Sequence, residues 1–142
     1  VMNTYGYSMD FVIKQLSEEG IKLNVTAILT FNQVRDVLKS LSETTPSIIS
    51  VFAGRIADTG RDPSDIMKMS SILVKNKNVE LLWASTREAI NIKQAIACNC
   101  DIITVTPDIL KKVSMFGKDL NQLSLETVRM FYEDAKSAGY KI

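Results

Sequence analysis

The sequence predicts an α/β fold of parallel (β/α) units that make up the C-terminal half of a (β/α)8 barrel. Three observations predict it. Short apolar runs alternate with amphipathic stretches along the chain, the pattern of a parallel sheet with crossover helices. Polar residues recur on one face of those runs and gather towards their C-terminal ends, where a barrel carries its chemistry. The 142 residues supply about half of the ~250 that a complete barrel takes.

From Tyr7 onward, Met9, Val12, Ile13 and Leu16 recur at helical spacing, and Gly20 reads as the C-terminal cap. Residues 21–29 (IKLNVTAIL) read as the first strand. Thr30 is placed to cap a second helix with a buried stripe of Val34, Val37, Leu38 and Leu41. Residues 47–53 (SIISVFA) form the second strand, and Pro63 opens a third helix burying Ile66, Met69, Ile72 and Leu73. Residues 79–84 (VELLWA) are the third strand, followed by a helix over about 87–97. Residues 101–105 (DIITV) are the fourth strand. Pro107 then opens a short helix through Val113, and a closing helix spans about 124–138. No linker or low-complexity segment interrupts the series, so residues 1–142 are expected to form a single partial-barrel domain.

Two architectures compete for four such units: an open sheet wound on both faces, and half of a barrel. A strand buried on both faces is nearly all apolar. Here alternation sends Ile21, Leu23, Val25 and Ala27 to one face and Lys22, Asn24 and Thr26 to the other. In the second strand it groups Ile48, Ser50 and Phe52. A face that turns polar towards the strand ends suits a barrel interior.

Composition narrows the chemistry. The chain contains no histidine, which excludes, within it, Ser-His-Asp and Cys-His nucleophile systems, His-ligated zinc and His general bases. Glycines at 6, 20, 54, 60, 117 and 139 make neither G-x-G-x-x-G nor a Walker loop. No cofactor or metal is expected. The net charge of +1, with interspersed signs, gives no basic stripe for nucleic acid. Nor is there a run of ~18 apolar residues to span a bilayer or the residue order of a signal peptide, so a cytoplasmic protein is expected. Cys98 and Cys100 are too close along the chain for an easy mutual disulfide and read as reduced, partly buried thiols.

Charged groups follow two of the strands. Gly54-Arg55, with Asp58 beyond, follows the second, and Ser85-Thr86-Arg87 follows the third at an expected helix start. A phosphate needs a guanidinium fork, hydroxyl donors and free backbone N–H groups, and these two segments can supply all three. An exposed arginine after a strand is also ordinary surface, and that reading stays open on the residues alone.

At these residues the sequence resembles the transaldolase family, including the small subfamily that contains fructose-6-phosphate aldolase. Residues 22–28 (KLNVTAI) resemble its fifth-strand motif, 50–56 (SVFAGRI) its sixth-strand S-P-F-V-G-R-I, and 84–87 (ASTR) its seventh-strand A-S-x-R. Order and separation agree from residue 3 to the end. The chain would thus carry strands five to eight, with the N-terminal strands absent. Val51 stands in place of the usual proline and Ala53 in place of the usual valine.

The resemblance implies a Schiff base between a strand-four lysine and a ketose phosphate such as fructose 6-phosphate. A dihydroxyacetone unit is then transferred to an aldose phosphate, or released by the aldolases. It implies that Arg55, Ser85 and Arg87 hold the phosphate, that Asn24 and Ser50 bond substrate hydroxyls, that Thr26 positions the catalytic water and that Phe52 lines the pocket. Phenylalanine at that position favours transfer over simple aldol cleavage. The family lysine lies in a V-K-I-P-like run just before the segment that matches residues 1–6, upstream of Val1, and the carboxylates of strands one and three would be missing with it. Lys22 points inward but at the wrong end of its strand, and Lys14, Lys39 and Lys68 read as solvated helix positions. The chain is therefore expected to be inactive alone and to associate with its missing N-terminal half or with itself, the closing helix being amphipathic enough either to build an oligomer or to cover its own barrel. A non-catalytic sugar-phosphate-binding or structural half-barrel is the alternative, and an unrelated open α/β binding module a third reading.

Overall fold

A computed structural model describes residues 1–140. Four strands, β1 (Asn24–Ile28), β2 (Ser47–Val51), β3 (Val79–Trp83) and β4 (Ile102–Ile103), form one sheet in the order β1-β2-β3-β4. All neighbours are parallel. The helices are α1 (Asp10–Glu18), α2 (Phe31–Ser40), α3 (Ala53–Ala57), α4 (Ser64–Val74), α5 (Ile90–Ala97), α6 (Pro107–Lys111) and α7 (Leu120–Ser137), with a 3-10 turn at Lys112–Met115. This is the expected architecture, a partial (β/α) barrel built of parallel strand–helix units. Its described residues divide into two compact units, Val1–Leu110 and a second from Lys111 onward.

In the first unit the sheet has two unlike faces. Val25, Ile28, Ile49, Val51, Leu81 and Trp83 join Val34, Val37, Met67, Val74, Ala95 and Cys98 in one buried cluster, so α2, α4 and α5 cover that face. The opposite face carries Asn24, Thr26, Ile48, Ser50, Glu80 and Leu82, and only Ser50 and Leu82 of these are buried. A polar open face backed by an apolar one is what strand alternation predicts for a barrel interior.

Caps set the helix ends. Gly20 takes φ +82°, and the N–H groups of Gly20 and Ile21 donate to the carbonyls of Ser17 and Leu16, closing α1 in a Schellman motif. Thr30 accepts from Gln33 N–H at 3.2 Å while Gln33 Oε1 accepts from Thr30 N–H at 3.0 Å, a reciprocal capping box for α2. In the second unit Asp119 accepts from Gln122 N–H at 2.9 Å. That cap starts α7 at Leu120, four residues before the expected start.

Several expectations need correcting. The first strand is shorter than residues 21–29, and its alternation breaks at Ala27. This residue takes φ +59°, the register shifts between Val25 and Ile28, and Ile28 turns inward in its place at 0% exposure. The third helix is rotated about its axis from the expected stripe. Its buried residues are Met67, Ser70 and Val74, Ile66 and Leu73 are half-buried, and Met69 and Ile72 are exposed. Ser70 can sit inside because its hydroxyl donates to the Ile66 carbonyl at 2.7 Å. The short helix α3 lies in what the sequence reads as strand end and loop. Val12 in α1 is exposed, and Ser17 joins Ile13 inside. Ser17 earns that place by accepting from Ser42 N–H at 2.8 Å.

Among the described residues no helix is long and apolar enough to cross a membrane. Cys98 is buried, and its thiol donates to the Ser64 carbonyl. Burial pushes its pKa up, and burial, aided by the charges of Cys98 and Asp101, pushes the Cys100 thiol to about 12.

Both thiols are expected to resist iodoacetamide at pH 8 in the folded chain and to react on unfolding, because only thiolate attacks; rapid labelling of the folded chain would contradict this burial. In urea unfolding, Met67→Ala is expected to cost about 2–5 kcal/mol. Ile72→Ala, at a position 74% exposed, is expected to change stability by no more than ~0.5 kcal/mol.

Candidate functional site

The residues singled out in the sequence fall in two groups: Asn24, Thr26 and Ser50 on the open face of the sheet, and Phe52, Arg55, Ser85 and Arg87 in the segments that follow β2 and β3. Parallel pairing sets Asn24 beside Ile48 and Val25 beside Ile49, so Asn24 and Ser50 lie diagonally adjacent on one face. The Ser50 hydroxyl donates to Asn24 Oδ1 at 2.6 Å. That bond satisfies a side chain only 3% exposed and fixes the orientation of the Asn24 amide. Thr26 follows on the same strand and is exposed, just before the left-handed Ala27.

Beyond Ser50 the chain turns sharply out of β2. Phe52 is half-buried and precedes α3, and Arg55 in the first turn of α3 stacks over its ring with Cζ 5.4 Å from the centroid, a cation–π contact. Gly54 makes the corner possible. Its N–H donates to the Ala84 carbonyl at 3.3 Å, and a Cβ at this position would overlap the Ser85 carbonyl. The same absent Cβ would stand 3.3 Å from Arg87 Cγ, so the Arg87 stem lies along the glycine.

Ser85 itself is half-buried and takes φ +64°, a conformation that costs a non-glycine residue free energy and commonly marks functional backbone. The neighbouring Thr86 is buried, and its hydroxyl donates to the Thr104 carbonyl at 2.5 Å, fastening this loop to the chain after β4. Arg87 is exposed and reaches back to α3. Its Nε donates to both Asp58 oxygens at 3.1 and 3.2 Å, and Nη2 donates to Oδ2 at 2.6 Å. Hydrogen bonds from the Arg87 guanidinium hold the Asp58 carboxyl below the usual carboxylate range, and the Arg55 charge adds to the effect. The pair raises Arg87 in turn. Both groups are therefore charged at neutral pH.

The backbone donors differ from expectation. The helix begins at Ile90, not Arg87, and the N–H groups of Arg87 and Glu88 both donate to Asn91 Oδ1, at 3.0 and 2.9 Å. These amides are thus engaged by a side chain of the chain itself. Asn91 was not singled out in the sequence, although an asparagine in the first turn of a helix is a capping signal. The Gly54 approach to Ser85 was equally hidden, because its cause lies in tertiary contact.

This end of the sheet is an open surface. A hollow of about 290 Å³ backs the corner on the helical side, bordered by Gly54, Trp83, Arg87 and Asn91. A larger one of about 800 Å³ lies at the opposite end, among Pro46, Asn78, Asn99 and Asp101, away from all the residues singled out. Among the described residues no cluster of His, Cys, Asp and Glu could hold a metal ion. The groups gathered in these segments are two guanidinium groups, the Asp58 carboxylate, hydroxyls and the side-chain amides of Asn24 and Asn91.

Comparison with known proteins shows a family. The family model described as Transaldolase/Fructose-6-phosphate aldolase matches residues 11–142. A probable transaldolase of Nitrosopumilus maritimus is 31% identical over 127 residues, covering 87% of this chain and 54% of that protein. One from a Thermoanaerobacter species is 33% identical over 132 residues, covering 92% and 57%. A third, from Bartonella henselae, is 30% identical over 131 residues, covering 91% and 56%. The chain spans about half the length of the curated relatives it matches.

Gly54→Ala is expected to lower stability by about 1–3 kcal/mol through overpacking against backbone. Urea unfolding measures this, and NMR shifts of the Ser85–Arg87 amides should move with it. A variant as stable as the parent, with those amides unmoved, would refute the close approach.

Proposed function

The chain belongs to the transaldolase/fructose-6-phosphate aldolase family, and from that premise we propose that its whole protein transfers a dihydroxyacetone unit between sugar phosphates through a Schiff base. The observation that carries the reading is the corner after β2 that packs Gly54-Arg55 on Ser85–Arg87, with Ser50, bonded to Asn24, four residues earlier in the same segment. Two guanidinium groups and a strained serine suit a phosphate dianion. An amide and a hydroxyl already oriented by each other suit the hydroxyls of a sugar. In this reading Arg55, Ser85 and Arg87 hold the phosphate, Asn24 and Ser50 the hydroxyls, Thr26 the catalytic water, and Phe52 the wall that favours transfer over release.

A Schiff base needs an amine near the ketone carbon: it attacks the carbonyl, water leaves, and the resulting iminium accepts the electron pair of the breaking carbon–carbon bond. None of the four strands contains a lysine. Lys22 is exposed ahead of Asn24, on the side away from the strand ends. Lys14 pairs with Glu18 on the surface of α1. We therefore assign the amine to a part of the whole protein other than residues 1–142, and these residues alone to binding without turnover. The same gap favours the second reading, a sugar-phosphate-binding half-barrel without catalysis.

The partner follows from the sheet. β1 and β4 each pair on one side only among the described residues, and a one-sided parallel strand leaves backbone donors and acceptors for another strand. The remaining strands of a barrel, or a second copy of this chain, would pair there.

Intact mass after fructose 6-phosphate and borohydride tests the assignment. The 142-residue chain is expected to gain no adduct, and the whole protein to gain one three-carbon adduct. A trapped adduct on the 142-residue chain would return the nucleophile to one of its own lysines. No adduct on the whole protein would leave the binding reading.

A further inference from the structure

Asp58 stands where anion binding, on charge alone, would not want it. It lies within the field of both Arg55 and Arg87, and a carboxylate there repels the phosphate those arginines would attract. Yet its contact with Arg87 is the most complete side-chain interaction at this end of the sheet, made along the Nε–Nη2 edge of the guanidinium. Asp58 is itself anchored, its N–H donating to the Gly54 carbonyl at 3.0 Å. Gly54 also carries the stem of Arg87 along its bare Cα. One residue thus supports the arginine's stem, and the carboxylate tied to it holds the head.

We propose that Asp58 is the positioning residue of the phosphate clamp: it fixes the Arg87 fork by one edge, so that the remaining N–H groups are presented to an incoming phosphate without first having to be ordered. The inference rests on the phosphate reading given above and assigns Asp58 no contact with substrate. A guanidinium has five N–H groups in a rigid fork, and Asp58 engages those of Nε and one of Nη2. Arginine is long, and immobilising such a side chain on binding costs affinity of about three- to tenfold. Asp58 removes that cost before the ligand arrives. An exposed ion pair of this kind adds little to stability, which leaves orientation as its effect.

The test turns on a sign. Removing a negative charge beside two arginines should tighten phosphate binding if Asp58 acts only through its charge, and weaken it if Asp58 positions Arg87. Calorimetric titration of the chain with fructose 6-phosphate, and with fructose as the phosphate-free control, reads this directly. Asp58→Asn and Asp58→Ala are expected to weaken fructose 6-phosphate binding by about three- to tenfold and to leave the response to fructose unchanged. Asp58→Glu, which keeps the carboxylate, is expected to recover part of the loss. In an Arg87→Ala background Asp58→Asn should cause no further loss, which a general structural role would not produce. Asp58→Asn is nearly isosteric, so its melting temperature with no ligand serves as the folding control. Unchanged or tighter binding by Asp58→Asn overturns the proposal and leaves the phosphate reading standing. Failure of the unaltered chain to bind fructose 6-phosphate overturns both.

Discussion

The close approach of Gly54 to the Ser85 carbonyl is the contact on which the rest of this end of the molecule depends. Parallel strands place their C-terminal ends side by side, but the loops that leave them normally diverge to make room for side chains. Here β2 ends in a corner with no Cβ at its apex, and the loop after β3 packs directly on it. Ser85 is held in a left-handed conformation, Arg87 lies along the glycine, and the Thr86 hydroxyl ties the same loop to the Thr104 carbonyl. Three strand ends are thereby joined through backbone more than through side chains. That is how exposed polar residues can keep fixed positions without a packed core around them.

The fold was largely legible in the sequence, because periodicity and caps are local. The capping box at Thr30, the left-handed Gly20 and the four apolar strand cores needed only neighbouring residues to be read. What was not legible came from longer range. The bulge at Ala27 depends on how β1 must bend to stay paired with β2, and no propensity of alanine announces a positive φ. The rotation of α4 follows from Ser70, whose hydroxyl is satisfied within its own helix and so can be buried in place of Ile72. For the site, alternation within each strand was visible, whereas the pairing that sets Asn24 and Ser50 on one face and their mutual hydrogen bond were not. Arg87 stood out from its motif, but its carboxylate partner and the capture of two amides by Asn91 required tertiary structure.

The two faces of the sheet differ in character. The helix-covered face carries the contiguous apolar cluster and tolerates few polar atoms. The open face keeps Asn24, Thr26 and Glu80 exposed. A sheet built this way is stable on one side only, and its other side becomes an interior when further strands curve round to meet it. The chain covers a little over half of each of the relatives compared.

The order of the strands in space is their order along the chain. Each crossover therefore ends beside the strand it has just left, and the sheet can be assembled by adding one neighbour at a time. No strand has to wait for a distant part of the chain before it can pair, so loop-closure entropy is met in small instalments. During synthesis each helix can settle on strands that have already emerged. The growing edge, not a completed core, then serves as the template for the next unit.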